Sequence, residues 1–366
     1  MKFSVLQENM QNALTILSRA IATRTSLPVL SNILINATKQ GVELQATNLE
    51  IAISQTIGAK VEKEGKLSVP ARLFGELVSQ LPPGKIQLSS NKDNLVIQTD
   101  SINSSLNGIA ASEFPQIPKI APKTTLKIPA KQLTGALSTV TVAASLDESR
   151  PVLAGVYMLF TKGALTLAAT DSYRLAENKI GLDNRYEQGL IVPLRTAQEV
   201  QRSAGADDQE GEVELQIGET ELAFSFDDTV ITSQLIEGKY PDYTKIIPTS
   251  SKTKVQVNRQ QLLSNVKLAS IFAQGAAHTI QLNVSRDKLK LHTTAAHVGT
   301  NDATVDCKTT GNNLEISLNA KYLLDVIQTL NSDQVSLEFN TKLDPVLVRP
   351  TQKSNQLLHI IMPLRS

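Results

Sequence analysis

The side chains that most often carry catalysis or hold metals are few and scattered in this sequence. A single cysteine, Cys307, excludes an internal disulfide and a CxxC metal site. The role expected for it is a buried structural thiol. The four histidines (His278, His292, His297 and His359) lack the spacing of a compact metal site, apart from a loose pair at 292 and 297. We therefore expect surface or core roles for them, and neither a metal nor a cofactor.

Motifs for phosphate, nucleotide or nucleophile chemistry are also missing. The chain has no P-loop, no GxGxxG after a strand, no HExxH and no GxSxG. The acidic run 207–212 could bind a cation, but a solvated loop is favoured, and Asp227-Asp228 predict a turn. The block Thr170–Leu175 resembles a motif but has no second acidic residue nearby in sequence. These observations favour a binding or scaffold protein over an enzyme.

Composition and charge are those of an ordinary globular protein. The 366 residues are 41% hydrophobic and 19% charged, which is chain enough for roughly two to three domains. Lys and Arg total 36 against 35 Asp and Glu. A basic surface over the whole chain is therefore excluded, whereas a local basic face is not. No apolar run has the pattern of a secretion signal or a membrane span, so we expect a cytoplasmic protein.

The chain repeats itself three times. Pro28–Leu30 recurs as Pro151–Leu153, and the same shift of 123 residues takes Leu67–Arg72 to Leu190–Arg195. A fainter third copy includes Ile316–Lys321. Stretches rich in proline, lysine, serine and threonine suit linkers between the copies. We therefore predict domains over residues 1–122, 123–249 and 250–366.

Each copy shows the same alternation of helical and strand patterns. Apolar residues recur at helical spacing, and Asn258 suits a helix N-cap. Stretches such as Val42–Ala46 alternate as strands do. Each third thus reads as two βαβββ units, which predicts an α+β fold with much antiparallel sheet. The six predicted helices span residues 8–22, 71–81, 130–144, 194–204, 259–272 and 320–330.

Basic residues outnumber acidic ones in these six helices, whereas the rest of the chain is net negative. Ordinary solvated helix faces would explain this bias. The sharper hypothesis is that the helices share one wall facing a polyanion, where phosphate contacts without base readout suffice. The candidate contacts chosen on helix charge are Arg19, Arg72, Lys131, Arg195, Arg202, Arg259 and Lys267.

Several blocks together resemble a known family. They are Met1–Phe3, Leu27–Leu30, Thr170–Leu175, Tyr240–Tyr243 and the ending Ile360–Arg365. Over the whole length, the chain is similar to the bacterial DNA polymerase III β subunits, the sliding clamps. The resemblance implies three repeated DNA-clamp domains, each of two βαβββ units. Two chains would join head to tail in a six-domain ring whose helices surround duplex DNA.

The same resemblance implies a function without catalysis or cofactor. The ring would tether the replicative polymerase to DNA and so confer processivity. Implied partners are a second copy of the chain, double-stranded DNA bound without sequence preference, and the DNA polymerase III alpha subunit. The delta subunit of an ATP-dependent clamp loader, and other polymerases and repair proteins with short clamp-binding peptides, complete the set.

The resemblance also implies a peptide pocket between the second and third domains. An apolar groove with a few polar orienting groups suits a short peptide. The alternative is that Leu153, Leu175, Ile246 and Ile360 simply fill cores. The residues carried over are Leu153, Thr170, Ser172, Tyr173, Arg174, Leu175, Pro241, Lys245, Ile246, Asn319, Tyr322, Leu343, Pro345, Ile360, Met362, Pro363, Leu364 and Arg365.

DNA contacts and a dimer contact follow from the resemblance as well. Arg24 and Arg150 would touch DNA, in addition to the helix residues above. Ser104 and Leu106, on an edge strand, would face Ile271 and Phe272 of the second copy. Two departures stand out: that edge strand is unusually polar, and Ala277 stands where a pocket-lining phenylalanine is known in the family, which would widen that subsite.

Two other functions stay open on the sequence. One is a hydrolase or transferase built around Asp171 and Arg174 on a repeated scaffold. The other is a repeat-built adaptor that binds proteins but not DNA.

Overall fold

A computed structural model describes residues 1–22, 26–118, 120–205, 211–273, 277–295, 297, 299–351 and 356–365. Within them, all six helix predictions are confirmed. The first and third helices are shorter than predicted, because each passes into a 3-10 turn, at Ser18–Ala20 and Thr141–Ala143. The helices are α1 (Gln7–Leu17), α2 (Ala71–Gln80), α3 (Ala130–Val140), α4 (Leu194–Ser203), α5 (Arg259–Phe272) and α6 (Ala320–Thr329).

The strands follow the predicted order, with a βαβββ unit six times along the chain and one extra strand, β5, in the first third. Those of the first third are β1 (Lys2–Leu6), β2 (Asn32–Thr38), β3 (Gly41–Thr47), β4 (Ile51–Ile57), β5 (Lys60–Lys63), β6 (Gly65–Pro70), β7 (Lys85–Asn91), β8 (Asn94–Gln98) and β9 (Asn103–Asn107). Those of the second are β10 (Thr124–Pro129), β11 (Gly155–Thr161), β12 (Ala164–Thr170), β13 (Arg174–Gly181), β14 (Gln188–Pro193), β15 (Glu212–Ile217), β16 (Glu221–Phe226) and β17 (Thr229–Gln234). Those of the last are β18 (Thr253–Asn258), β19 (Thr279–Val284), β20 (Lys288–Ala295), β21 (Gly299–Thr310), β22 (Leu314–Asn319), β23 (Gln334–Phe339), β24 (Val346–Pro350) and β25 (Leu357–Ile361).

Local chemistry explains where these elements begin and which faces they bury. In α1 the buried residues Met10, Ala13, Leu14 and Leu17 recur at the spacing of one helix face. The predicted cap of α5 is confirmed, because the Asn258 side chain accepts a hydrogen bond from the Gln261 N–H at 3.0 Å. Asp227 and Asp228 form the predicted turn between β16 and β17.

One compact unit, the N-terminal unit, comprises residues 1–131 and 202–235. It contains a five-stranded sheet of order β5-β1-β7-β8-β9 and an eight-stranded sheet of order β10-β15-β16-β17-β4-β3-β2-β6. The larger sheet joins the first and second thirds of the chain, because β17 pairs antiparallel with β4 and sets Ile231 opposite Ile53.

The other compact unit, the C-terminal unit, comprises residues 132–201 and 236–366. Its twelve-stranded sheet has the order β14-β11-β12-β13-β25-β24-β23-β18-β21-β20-β19-β22. Here the second and last thirds join, because β25 pairs antiparallel with β13 and sets Ile360 opposite Leu175. Cys307, in β21, is half-buried against the core beneath this sheet, rather than fully buried as expected.

The two joins have the same construction. In each, the last strand of one third (β17 or β25) adds to the strand that ends the first βαβββ unit of the preceding third (β4 or β13). Both sheets therefore cross a predicted domain boundary. The two compact units coincide with the sheets and not with the three sequence repeats. The domain boundaries after residues 122 and 249 remain a prediction.

Candidate peptide-binding site

A tight turn between β12 and β13 forms one wall of the candidate site. The Asp171 carboxylate accepts hydrogen bonds from the N–H groups of Tyr173 and Arg174, both at 2.9 Å. The Thr170 hydroxyl donates to the Arg174 carbonyl at 2.6 Å and accepts from the Ser172 N–H at 3.2 Å. Ser172 has a φ of +78°, a left-handed conformation that the turn needs. The Asp and Thr side chains thus hold the backbone rigidly where Tyr173 projects into solvent.

Arg174 links this turn to α6. Its Nε donates to Asp171 at 3.0 Å and its Nη1 to Asp325 at 2.7 Å, while the guanidinium lies 4.3 Å from the centre of the Tyr322 ring. The Arg174 side chain is only 11% exposed. Burying a guanidinium requires such pairing, because an unpaired charge there would be strongly destabilising. Burial and the nearby Asp171 charge also raise the pKa of Tyr322.

This network weakens the enzyme hypothesis. Both oxygens of Asp171 already accept hydrogen bonds, from two backbone N–H groups and from Arg174. Arg174 in turn is neutralised by two carboxylates. A general base or an electrophilic arginine needs a free face toward substrate. The described contacts assign both side chains to building the site.

The end of the chain forms the second wall. β25 leads into Met362, whose N–H donates to the Tyr173 carbonyl at 2.8 Å, and the Leu364 N–H donates to Ser317 at 2.8 Å. Met362, Pro363 and Leu364 are half-buried, and Arg365 is exposed. Backbone hydrogen bonds therefore hold three apolar side chains partly open to solvent, as a peptide groove requires.

Several exposed apolar side chains lie on the elements around these walls. Tyr173 is 61% exposed, Leu343 58% and Ile246 41%. Large apolar side chains that stay open to water are typical of interaction surfaces when they cluster with polar orienting groups. The alternative interpretation, in which Ile246 fills a core, is therefore wrong for this residue.

Other predicted pocket residues are buried in the core next to the site. Thr170, Leu153, Leu175 and Ile360 are buried, and the last two belong to one apolar cluster with Tyr240 and Tyr243. For Leu175 and Ile360 a core role is thus observed, directly under the turn and the C-terminal strand.

Two tyrosines stiffen that cluster. The Tyr240 ring stacks on Tyr157 with centroids 4.7 Å apart, and the Tyr243 hydroxyl donates to Glu177 at 2.7 Å. Burial and the hydrogen bond to Glu177 raise the pKa of Tyr243 well above its usual range. These contacts anchor the segment Pro241–Ile246, in which Lys245 ion-pairs with Asp242 at 3.1 Å.

Asn319 ties a further loop to α6. Its Oδ1 accepts from the N–H groups of Lys321 and Tyr322, and its Nδ2 donates to the Ala277 carbonyl at 3.0 Å. The position that the sequence marks as a departure therefore lies beside a predicted pocket residue. Pro345, just before β24, is half-buried.

The sequence did not assign Asp325 to the site, and of the surface or core role expected for His359 the structure shows the core one. Asp325 follows Tyr322 by three residues on α6, so helical spacing could have placed both on the face toward Arg174. His359 is fully buried in β25, with Nε2 at 3.2 Å from the Thr329 hydroxyl. Burial, together with the Arg174 charge, lowers the pKa of His359 to about 3.

We predict that His359 makes the fold sensitive to mild acid. An unfolded histidine takes up a proton below about pH 6.5 and the native one does not, so stability falls as pH falls between these pKa values. Between about pH 7 and pH 4.5 the loss from this group is roughly 3 kcal/mol. Urea unfolding of wild type and His359→Gln at both pH values checks this. The variant should lose less stability on acidification; equal losses would contradict the prediction.

The candidate DNA contacts are distributed over both units. Arg24 lies outside the described residues, and the Arg150 guanidinium donates to Ser172 at 3.3 Å, beside the turn. Arg72 ion-pairs with Glu76 at 2.9 Å, with 90% of its side chain exposed. Arg19 and Arg259 are half-buried, and the exposed ones are Lys131, Arg195, Arg202 and Lys267.

The described residues show neither a metal cluster nor a membrane helix. No three His, Cys, Asp or Glu side chains among them come together as metal ligands would. Of the acidic run, 207–210 lies outside the described residues and Glu212 begins β15. None of the described helices is both long and apolar enough to cross a membrane.

Comparison with known proteins agrees with this architecture from end to end. Domain profiles of the DNA polymerase III beta subunit match in order: the N-terminal domain at 1–118, the central domain at 127–242 and the C-terminal domain at 244–365. Beta sliding clamps of Staphylococcus epidermidis and Synechococcus elongatus are each 28% identical, covering 100% of this chain and 100% and 99% of theirs.

Solved structures give the same result. The DNA polymerase sliding clamp of Bacillus subtilis superposes with a TM-score of 0.94 at 27% identity, covering 100% of this chain and 99% of that one. The sliding clamp of Bartonella birtlesii bound to griselimycin superposes with a TM-score of 0.95 at 28% identity, with both chains fully covered. The fold therefore defines the class of DNA sliding clamps.

The chain belongs to the DNA polymerase III beta subunit family. Its function is that of a sliding clamp, an accessory subunit of DNA replication without catalysis of its own.

Proposed function

We propose that two copies of this chain join head to tail around duplex DNA and tether the replicative polymerase to it. The observation that carries this proposal is the pair of joins inside the chain. β17 completes one sheet at β4, and β25 completes another at β13. By the same construction, β9 should complete a sheet at β21. The two strands are not paired with each other within the described chain, so we propose that this pairing forms between two copies.

The edges that such a join needs are open in the described residues. β9 pairs with β8 and lies at the end of its sheet. The 299–306 part of β21 pairs with β20 along one side, and no described strand covers its other side. Unpaired strand edges recruit further strands. Two copies related head to tail would satisfy both edges twice.

Side chains near these edges support the same contact. Ser104 and Leu106 are half-buried on β9. Ile271 is 54% exposed on α5 and Phe272 half-buried, and Leu268 on the same helix is 52% exposed. Apolar side chains so exposed on one helix suit burial by a partner.

The charge distribution suits a DNA contact that slides. With 36 basic against 35 acidic residues, tight binding over the whole surface is not favoured. The exposed basic residues on the helices offer phosphate contacts that carry no sequence information. We propose that these residues, with Arg24 and Arg150, face DNA, and that topological enclosure supplies the retention.

The site on the C-terminal unit is the proposed docking point for partners. A half-open apolar groove held by backbone hydrogen bonds fits short peptides from the DNA polymerase III alpha subunit, the clamp loader delta subunit and repair proteins. A solved relative is described as bound to griselimycin, so a protein of this fold takes a ligand. We place the activity in the cytoplasm, with an ATP-dependent loader to open the ring.

Primer extension on a long single-stranded circle tests the tethering. With polymerase, loader and ATP, adding the chain should lengthen the products of a single binding event by about tenfold or more. Product length that does not change, with a known clamp active in the same mixture, would contradict the function and favour an adaptor that binds proteins but not DNA.

A further inference from the structure

The turn that builds the peptide site has a copy in the N-terminal unit. Between β3 and β4, Asn48 accepts hydrogen bonds from the N–H groups of Glu50 and Ile51, at 3.1 and 2.9 Å. The Thr47 hydroxyl donates to the Ile51 carbonyl and accepts from the Leu49 N–H, both at 3.0 Å. These are the contacts that Asp171 and Thr170 make 123 residues later.

The backbone repeats as closely as the side chains. Leu49 has a φ of +79°, against +78° at Ser172. The Gln234 N–H donates to the Glu50 carbonyl at 3.3 Å, as the Met362 N–H does to Tyr173. The chain therefore builds the same wall twice, once in each unit.

A second likeness lies in the segments that follow the last strand of each third. Phe114-Pro115-Gln116-Ile117 repeats the pattern of Tyr240-Pro241-Asp242-Tyr243, and Phe114 is buried as Tyr240 is. Pro115 and Ile117 line the cavity beside the Leu49 turn.

The contents of the two sites differ. The cavity in the N-terminal unit measures about 230 Å³, which is less than a drug-sized ligand needs and suits one or two side chains. Ile51 stands where Arg174 stands in the other unit, and Leu49, 53% exposed, stands where Ser172 does. The lining includes two carboxylates, Glu50 and Glu221, and no basic residue among those described.

We propose that this cavity is a second docking site, for a short peptide that presents a leucine-like side chain next to a basic one. The apolar anchor would pack on Leu49 and Ile51, and the basic side chain would meet Glu50 and Glu221. The peptide chemistry rests on the function proposed above for the equivalent site, while the charge preference comes from the carboxylates of this cavity alone.

Binding of a defined probe tests the proposal. The probe is a fluorescein-labelled decapeptide with two leucines followed by two arginines on an alanine–glycine background. Its control carries glutamates in place of the arginines. We expect saturable binding of the basic peptide by anisotropy, with affinity that falls as salt rises, and weak or no binding of the acidic one.

Three variants assign the binding to the cavity. Leu49→Ser should weaken binding about tenfold, and it is tolerated by the turn because Ser172 has the same φ. Glu50→Gln with Glu221→Gln should also weaken binding and flatten its salt dependence. Deletion of Met362–Ser366 removes one wall of the other site and should leave the binding of this probe unchanged.

Either of two results would overturn the proposal. One is the absence of saturable binding, or equal binding of both peptides. The other is binding that the Met362–Ser366 deletion abolishes while Leu49→Ser and the paired glutamine changes do not, because the probe would then occupy the C-terminal site. An alpha-subunit peptide assayed on the same variants reports the function proposed above separately.

Discussion

Deleting Met362–Ser366 should weaken partner binding about a hundredfold while the fold survives. The deletion removes three half-buried apolar side chains and the two backbone hydrogen bonds that position them, at Tyr173 and Ser317. Partial burial of such side chains supplies about 3 kcal/mol, so affinity should fall about a hundredfold. The measurement is anisotropy of a labelled alpha-subunit peptide.

Removing Ser366 alone is the matched control for that deletion. It leaves Met362 and Leu364 in place, so peptide affinity should stay near wild type. β25 ends at Ile361, opposite Arg174, and keeps its pairing in both variants. Unfolding by urea should therefore show a similar midpoint for all three proteins. Peptide affinity that survives the longer deletion would show that the groove lies elsewhere.

A proline at Ser105 should convert the proposed dimer to a monomer. The Thr99 N–H bonds to Ile102 and the Gly108 N–H to Asp93, so even-numbered residues of β9 bond to β8. Hydrogen-bonded pairs alternate along an antiparallel ladder, and the Ser105 N–H therefore faces the open edge. Proline removes that donor where an edge strand tolerates it.

The expected loss is large because a ring would contain the contact twice. Proline removes one interface hydrogen bond and leaves the facing carbonyl unpaired, which costs about 1–3 kcal/mol, or a factor of about 5 to 150 at each interface. Light scattering should give a mass near the 39.7 kDa of one chain for Ser105→Pro and twice that for wild type. Ser105→Ala, which keeps the N–H, should remain dimeric. A dimeric Ser105→Pro protein would show that β9 is not the interface.

Helices and repeats were predictable because their signals are local. Apolar residues at helical spacing located α1, α3 and α5, and Pro70, Pro193 and Asn319 at helix starts located α2, α4 and α6. The 123-residue shift carried the second third from the first. The sheet joins could not be predicted from the residues alone, since the pairing of Ile360 with Leu175 brings together strands far apart in sequence.

The candidate site shows the same division. The turn at Asp171 was visible as a motif because its hydrogen bonds lie within a few residues. Its second acidic partner, Asp325, is 151 residues from Arg174 and meets it only when the sheet brings α6 to the turn. His359 carries no local signal either, because its burial depends on β13 from the second third of the chain and on β24 from the last third.

The proposed ring holds DNA by enclosing it, and retention on DNA of defined topology is the direct test of that enclosure. The protein is loaded with loader and ATP onto nicked circular DNA at moderate salt, and half the sample is then linearised. Loss from the linear DNA with retention on the circle is the predicted result, since an enclosing ring slides off an end. Equal retention on both forms, or none on either while a known clamp loads in parallel, would contradict enclosure.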